Sequence, residues 1–503
     1  MTLKQLSLEE ISKHNSATDC WCIIYDKVYD LTQFLGEHPG GKNIILKYAG
    51  KDATKAFDPI HPKDIIQRLL PPEVEMGTYG SNNASTTHPS NKYEEPHHYD
   101  TVVVKKRPNI STMLNLYDFE VVAKHLMKRE AWAYYSSGAD DELTLRENIT
   151  AFQRIYLKPR VMINVKKVTT NTKILSNPSQ LPIYITATAL GKLGHPKGEV
   201  NLTKAAYSKG IIQMIPTLSS CSLDDIVTAK QKEQVQFLQL YVNSQRSITE
   251  RVIKNAEAAG CKGLFITVDA PQLGKREKDM RMKFEQQSAI QNAYQHEKEK
   301  QNRNQGAARA ISSFIDPSLC WEDLKWFKKV TNMPIVLKGI QAGEDAVLAA
   351  QHGVQGVVLS NHGGRQIDTA RSGIEILPEV MEMLDQYYQQ NPTQKRMEVY
   401  IDGGIRRGSD IFKALALGAT AVGIGRPFLY AMSTYGQEGI EKAIDILREE
   451  LEMTMRLMGT PTLKDITKNH LIPNSITNHT NSTSSYWSSN VYEPLSSPTI
   501  TKL

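Results

Sequence analysis

Eight short β-like runs, most of them separated by segments able to form helices, constrain this chain more than any other feature. The runs span 181–189, 211–219, 236–242, 263–270, 334–340, 356–362, 399–404 and 421–427, with helical spacing in between at, for instance, 248–259, 342–352 and 409–417. Eight repeats of strand then helix predict an α/β fold, a closed parallel (β/α)8 barrel rather than an open sheet. A helical stretch over 116–135 precedes the first run.

The barrel does not account for the whole chain. At 503 residues there is room for a second domain and a large core. Hydrophobic content of 40% with 23% charged residues describes a globular protein, and no apolar run approaches the length of a membrane span. The net charge of +6 comes without a Lys/Arg block, so nothing marks a nucleic-acid stripe. Cys20, Cys22, Cys221, Cys261 and Cys320 form no paired metal spacing and read as reduced thiols. Met1 to Gln5 lead into no apolar signal core, so a complete chain is expected in the cytoplasm, and a processed one in the mitochondrial intermembrane space.

Residues 1–77 read as a small α+β domain. Asp19 to Leu31 alternate around an Asp26-Lys27 turn and predict a hairpin. His38-Pro39-Gly40-Gly41 follows, and His61 comes 23 residues after His38. Amphipathic pieces such as 44–49 can line an apolar cleft between them. Two histidines on opposite walls of such a cleft suit six-coordinate haem iron, while two histidines in a stretch this long are more often surface residues. The segment resembles the cytochrome b5 domains in its Trp21, its Val28-Tyr29-Asp30-Leu31 run, its His-Pro-Gly-Gly loop and its second histidine. That resemblance implies haem b held by His38 and His61, with no open position for oxygen.

Residues 78–107 read as a polar linker whose His88, His97 and His98 carry no assigned role. Residues 284–305, rich in Gln, Asn, Glu and Lys, read as an exposed insertion between the fourth and fifth strands. The barrel is expected over 108–460, and a Ser/Thr/Asn-rich tail over 461–503 is either disordered or wraps a neighbouring subunit.

Chemistry collects at the ends of the runs, where a barrel places its working side chains. Ser360-Asn361-His362-Gly363-Gly364-Arg365 puts an imidazole, two glycines and a guanidinium together. The histidine can move a proton near neutral pH, and the arginine can clamp a carboxylate through two parallel hydrogen bonds. Asp269 can orient the imidazole if the two meet in space. The Gly-rich ends Asp402-Gly403-Gly404-Ile405-Arg406 and Gly425-Arg426 suit a phosphate. Lys338 ends an apolar strand and needs a negative partner, either a reduced flavin or a plain ion pair with an aspartate.

From about 115 to 470 the chain resembles the FMN-dependent family that oxidises L-2-hydroxy acids, glycolate oxidase and lactate oxidase among them. The stretches that carry the likeness are Tyr134 to Ala139, Gln239 to Val242, Thr267 to Pro271 with Leu273 to Glu277, Ser360 to Asp368, Asp402 to Gly408, and Gly425 to Pro427. The resemblance implies that His362 takes a proton from the substrate with Asp269 behind it. It implies that Arg365 binds the substrate carboxylate with Tyr134, that Tyr241 bonds the hydroxyl, that Arg276 lies close by, and that Lys338 stabilises reduced FMN. Ala187, Thr188, Ala189, Ser219, Gln239, Thr267 and Ser360 are implied contacts of the isoalloxazine or ribityl part, and Asp402, Gly403, Gly404, Arg406, Gly425 and Arg426 of the ribityl chain and phosphate. Glycolate oxidases carry Trp where this chain has Cys221, which leaves the pocket lining open at that point.

With the haem segment in front, the chain resembles the flavohaem L-lactate dehydrogenases that reduce cytochrome c, and the family resemblance implies a homotetramer. Residues 1–77 hold nine basic and eleven acidic residues, a net of −2, which suits a basic carrier such as cytochrome c. An oxidase on the same barrel would leave the haem segment without a purpose. A catalytically dead barrel would not keep Tyr241, Asp269, His362 and Arg365 together.

Overall fold

The computed structural model describes residues 5–36, 38, 42–58, 61, 65–66, 70–79, 107–282 and 315–472. The linker from 80 to 106, the insertion at 284–305, the tail beyond 472 and the residues Pro39, Gly40 and Gly41 lie outside the described residues. The chain divides into two compact units, 1–109 and 110–503.

Among the described residues the first unit has six short strands: β1 (Gln5–Leu6), β2 (Asn15–Ser16), β3 (Asp19–Ile24), β4 (Lys27–Asp30), β5 (Lys51–Asp52) and β6 (Glu75–Tyr79). Their order is β1-β6-β4-β3-β2, with β5 on β3. β3 and β4 form the expected hairpin, but its turn lies one residue earlier than the sequence suggests. Lys27 already pairs with Ile24, and the turn residues are Tyr25 and Asp26, both left-handed at φ 51° and 61°. Two left-handed residues match the twist of the flanking strands. Side chains alternate along β3 with period two. Cys20, Cys22 and Ile24 join one buried cluster with Leu31, Leu35, Ile45, Ala49 and Ala53, while Ile23 joins another with Leu6, Ile11 and Val28.

The second unit is a closed barrel of eight parallel strands: β7 (Ile183–Ile185), β8 (Ile212–Ile215), β9 (Gln236–Leu240), β10 (Leu264–Thr267), β11 (Ile335–Ile340), β12 (Gly356–Leu359), β13 (Glu398–Asp402) and β14 (Ala421–Ile424). Each lies within one predicted run or overlaps it. β14 closes on β7 through Ile183↔Val422 and Ile185↔Ile424. Every strand is buried on both faces, which is why the runs read as continuous apolar stretches. Tyr184, Met214, Phe237, Phe265, Val336, Val358 and Tyr400 fill the barrel interior, and their strand neighbours Ile183, Ile185, Leu238, Leu264, Leu337, Val357 and Ile401 face the surrounding helices.

Within the second unit three α-helices precede the barrel: α1 (Leu116–Leu126), α2 (Arg129–Ser136) and α3 (Leu143–Gln153). The single helical stretch expected over 116–135 is therefore broken, because Met127 and Lys128 are extended at ψ 153° and 143°. The buried positions explain the break. Leu116, Phe119 and Ala123 keep helical spacing, but Ala131, Ala133 and Tyr135 do not continue that face. Among the described residues, no helix is long and apolar enough to cross a membrane.

Candidate active site

The C-terminal ends of the barrel strands open into one pocket. Its wall includes Tyr134, Ala187, Thr188, Ala189, Gln239, Tyr241, Thr267, Arg276, Lys338, His362, Arg365, Asp402, Gly403, Gly404, Arg406, Gly425 and Arg426. Each of these carries an expectation from the sequence, and closure of the barrel brings them together.

His362 sits at the tip of the loop after β12, left-handed at φ 59°. A non-glycine residue rarely adopts this conformation, and it persists where the surroundings over-determine it. Nδ1 lies 3.0 Å from Asp269 Oδ1, and Nε2 lies 3.1 Å from the Tyr241 hydroxyl. Gly339, at φ 115°, permits the aspartate's approach: a Cβ there would meet the Asp269 Cβ at 2.5 Å. Burial holds the His362 imidazole below its usual pKa although Asp269 pulls it up. Burial alone would raise the Asp269 carboxyl, but His362 and Lys338 bring it below the usual carboxylate range. The result is an ionised aspartate holding Nδ1–H of a neutral imidazole, with Nε2 left as a base. Burial, with Asp269, raises the Tyr241 hydroxyl, so it stays protonated and donates to Nε2.

Two arginines flank this base. Arg365 donates to the carbonyls of Tyr134 (2.8 Å) and Ser137 (3.0 Å), with its guanidinium 5.0 Å from the centre of the Tyr134 ring. Arg276 is buried, and burial together with Arg365 lowers it to about 10. Two like charges held this close call for an anion between them, as a substrate carboxylate supplies.

Lys338 meets an aspartate, which was one of the two partners expected for it. Its Nζ lies 3.2 Å from Asp402 Oδ2 and 3.2 Å from Ser360 Oγ, and Ser360 donates to Asp402 Oδ1 at 2.5 Å. Burial opposes the ammonium, but Asp402 and Asp269 outweigh it and keep it charged.

The remaining cations fit the phosphate end of an FMN. Arg406 and Arg426 line the pocket beside Gly403, Gly404 and Gly425. Arg426 is braced by three carbonyls, Nε on Tyr135 O (2.7 Å) and the terminal nitrogens on Gly363 O and Ser137 O (both 2.9 Å), so each terminal nitrogen keeps a second N–H. Arg406 Nε and Thr186 Oγ1 are buried with no hydrogen-bond partner among the described residues. Unpaired buried donors are costly, and a polar ligand would relieve both.

Two expected contacts, Ser219 and Ser360, are not part of the pocket wall. Ser219 Oγ bonds the Cys221 carbonyl at 2.6 Å, and Ser360 Oγ serves Asp402 and Lys338. Cys221 does not line the pocket either. Its Sγ lies 3.5 Å from Lys197 O, burial pushes the thiol up to about 12, and the wall in that region is Leu218. The apolar lining of Pro216, Leu218, Leu273, Ile405 and Leu429 was not anticipated, since such residues carry no chemical signature in the sequence.

In the first unit His38 and His61 face each other with ring centroids 5.9 Å apart. Metal–imidazole bonds run about 2.0 Å, so an iron between the two rings fits that gap. Each histidine follows a phenylalanine by four residues, and its backbone N–H bonds that residue's carbonyl, Phe34 at 2.9 Å and Phe57 at 3.0 Å. His61 Nδ1 lies 3.3 Å from Phe57 O, which leaves Nε2 for a metal. Burial, with His38, lowers His61 to about 4, so the ligating neutral form prevails. Among the described residues no cluster of three or more His, Cys, Asp or Glu could hold a bare metal ion. Two imidazoles on an apolar cleft fit a metal whose other ligands come from a macrocycle.

Both units have known relatives. Residues 123–473 match the FMN-dependent dehydrogenase family, and residues 7–80 match the cytochrome b5-like haem/steroid binding domain. The chain is 50% identical over 479 residues to an L-lactate dehydrogenase (cytochrome) of Wickerhamomyces anomalus, covering 94% of this chain and 81% of the relative. It is 46% identical over 477 residues to the enzyme of that description from Saccharomyces cerevisiae, covering 93% and 79%. Among solved structures, a flavocytochrome b2 double mutant with pyruvate bound aligns with a TM-score of 0.68 at 45% identity, over 79% of this chain and 95% of that one.

Proposed function

The chain belongs to the FMN-dependent dehydrogenase family, with a cytochrome b5-like domain ahead of it, and on that premise we propose how its residues divide the work. The protein is an L-lactate dehydrogenase of the cytochrome type, oxidising L-lactate or a close L-2-hydroxy acid to the 2-oxo acid. FMN supplies the two-electron acceptor and haem b a one-electron relay.

The observation that carries the assignment is the row Tyr241, His362, Asp269, with His362 Nε2 aimed at a pocket flanked by Arg276 and Arg365. The two guanidiniums, with the Tyr134 ring beneath Arg365, hold the substrate carboxylate and so fix its α-carbon beside the imidazole. His362 accepts a substrate proton at Nε2, and Asp269 stabilises the imidazolium that forms. Tyr241 directs its hydroxyl to the substrate oxygen. Lys338, neutralised by Asp402 in the structure, offers positive charge where the isoalloxazine would gain negative charge. Arg406, Arg426 and the glycine loops hold the phosphate.

The chain divides functionally into a haem domain (1–77), a linker (78–107), a barrel (108–460) and a tail (461–503). The acceptor is cytochrome c, approached by the mildly acidic haem domain, and the barrels assemble as a homotetramer.

His362→Gln tests the base. The variant is expected to keep FMN and haem bound and to lose lactate-dependent flavin bleaching. Substantial bleaching in that variant would rule the assignment out.

A further inference from the structure

His362, Gly363 and Gly364 form three successive left-handed residues, at φ 59°, 65° and 74°. The two glycines accept this freely, and the histidine does not. Something must hold the turn, and the residue before it shows how. The Asn361 side chain is 2% exposed as a residue and makes four hydrogen bonds, the full set an amide can make. Nδ2 donates to Asn148 Oδ1 at 2.7 Å and to Arg371 O at 3.0 Å. Oδ1 accepts from Asn148 Nδ2 at 2.9 Å and from Gly364 N at 3.0 Å.

Asn148 lies on α3, before the barrel begins, and is 1% exposed. It also meets the loop after β13. A Cβ on Gly403 would come within 3.3 Å of its Nδ2, and one on Gly404 would overlap its backbone carbonyl. The far end of the His362 loop is tied to the same helix, because Asp368 accepts from Leu143 N at 3.1 Å and Thr144 N at 2.7 Å. Helix α3 thus splints the loop at both ends.

We propose that Asn148 is a positioning residue for the His362 base, its reciprocal amide pair with Asn361 holding the left-handed turn that sets His362 against Asp269 and Tyr241. Asn148 backs the pocket wall without lining it and does not touch the base. The inference rests on His362 being the base, which His362→Gln tests by itself. A buried polar pair with every bond made specifies one geometry, and losing one partner leaves the other unsatisfied.

The test is Asn148→Ala in the full-length holoenzyme. The expected result is FMN retained, KM for L-lactate changed less than about threefold, and kcat lowered about 10- to 100-fold, the scale of an ångström of misplacement. The primary isotope effect with 2-deuterated lactate is expected to rise. The acid limb of kcat/KM reports His362 facing Asp269, Lys338, Arg276 and Tyr241, and it is expected to move to lower pH as the Asp269 contact loosens. A merely structural amide pair would lower thermal stability and leave that limb and the isotope effect where they are. Unchanged kcat, isotope effect and acid limb would overturn the proposal. If Asn148→Ala fails to fold, Asn148→Asp, which keeps volume and one arm of the pair, is read in the same way. Failure of both to fold assigns the pair to stability and also overturns it.

Discussion

The Tyr241 hydroxyl lies 3.1 Å from His362 Nε2, and the two rings are near-parallel at 15°. The phenol arrives from the end of β9 and the imidazole from the loop after β12, three strands away around the barrel. A protonated phenol beside a neutral imidazole puts one donor and one acceptor together in the pocket wall.

Tyr241→Phe keeps the ring and removes the donor. We expect kcat with L-lactate to fall about 10- to 1000-fold, the cost of losing one donor at a site where charge develops. KM should change far less, since Arg276 and Arg365 remain. Steady-state kinetics separate the two, and a change confined to KM would assign Tyr241 to ground-state binding instead.

Asp269→Asn keeps the shape and removes the charge that favours the imidazolium. The sign follows from the contributions to His362: burial lowers its pKa and Asp269 raises it. Without the carboxylate the imidazole binds its proton more weakly, so the acid limb of kcat/KM shifts to lower pH while kcat falls by about 10³- to 10⁴-fold, as for the aspartate of a catalytic triad. A limb that stays in place would show that another group titrates there.

His61→Ala removes one wall of the haem pocket. The variant is expected to lose the b-haem spectrum and to retain flavin bleaching by lactate. Without haem, burial and His38 lower His61 from 6.5 to about 4. The unfolded chain takes up that proton first as pH falls, so the contribution to stability is complete above 6.5 and is lost progressively toward about 4. Melting of the haem-free first unit, followed from pH 7 to pH 4, checks this, and a melting point independent of pH over that range would contradict it.

Much of the barrel and of both sites is legible in the amino-acid sequence. The barrel strands are buried on both faces, so β11 and β12 appear in the sequence as apolar runs, and their functional ends as sudden polarity at Lys338 and Ser360. His38 and His61 are legible through their spacing and the surrounding run. Other features require closure of the chain. Lys338 and Asp402 leave β11 and β13, and only the barrel's curvature brings them within 3.2 Å. Asn148 and Asn361 are 213 residues apart, and an asparagine in a helix gives no sign of a partner so distant. Leu218 and Leu429 shape the pocket by volume alone, which apolar residues everywhere share. The placement of Cys221 is not legible, because matching it to a larger residue says nothing of direction, and its Sγ points toward the Lys197 carbonyl.

One measurement bears on the whole account. L-lactate is added without air to the purified protein while its visible spectrum is recorded. Flavin bleaching together with the sharp bands of reduced b-type haem is the expected result. A haem spectrum that stays oxidised with L-lactate and with related 2-hydroxy acids would contradict it.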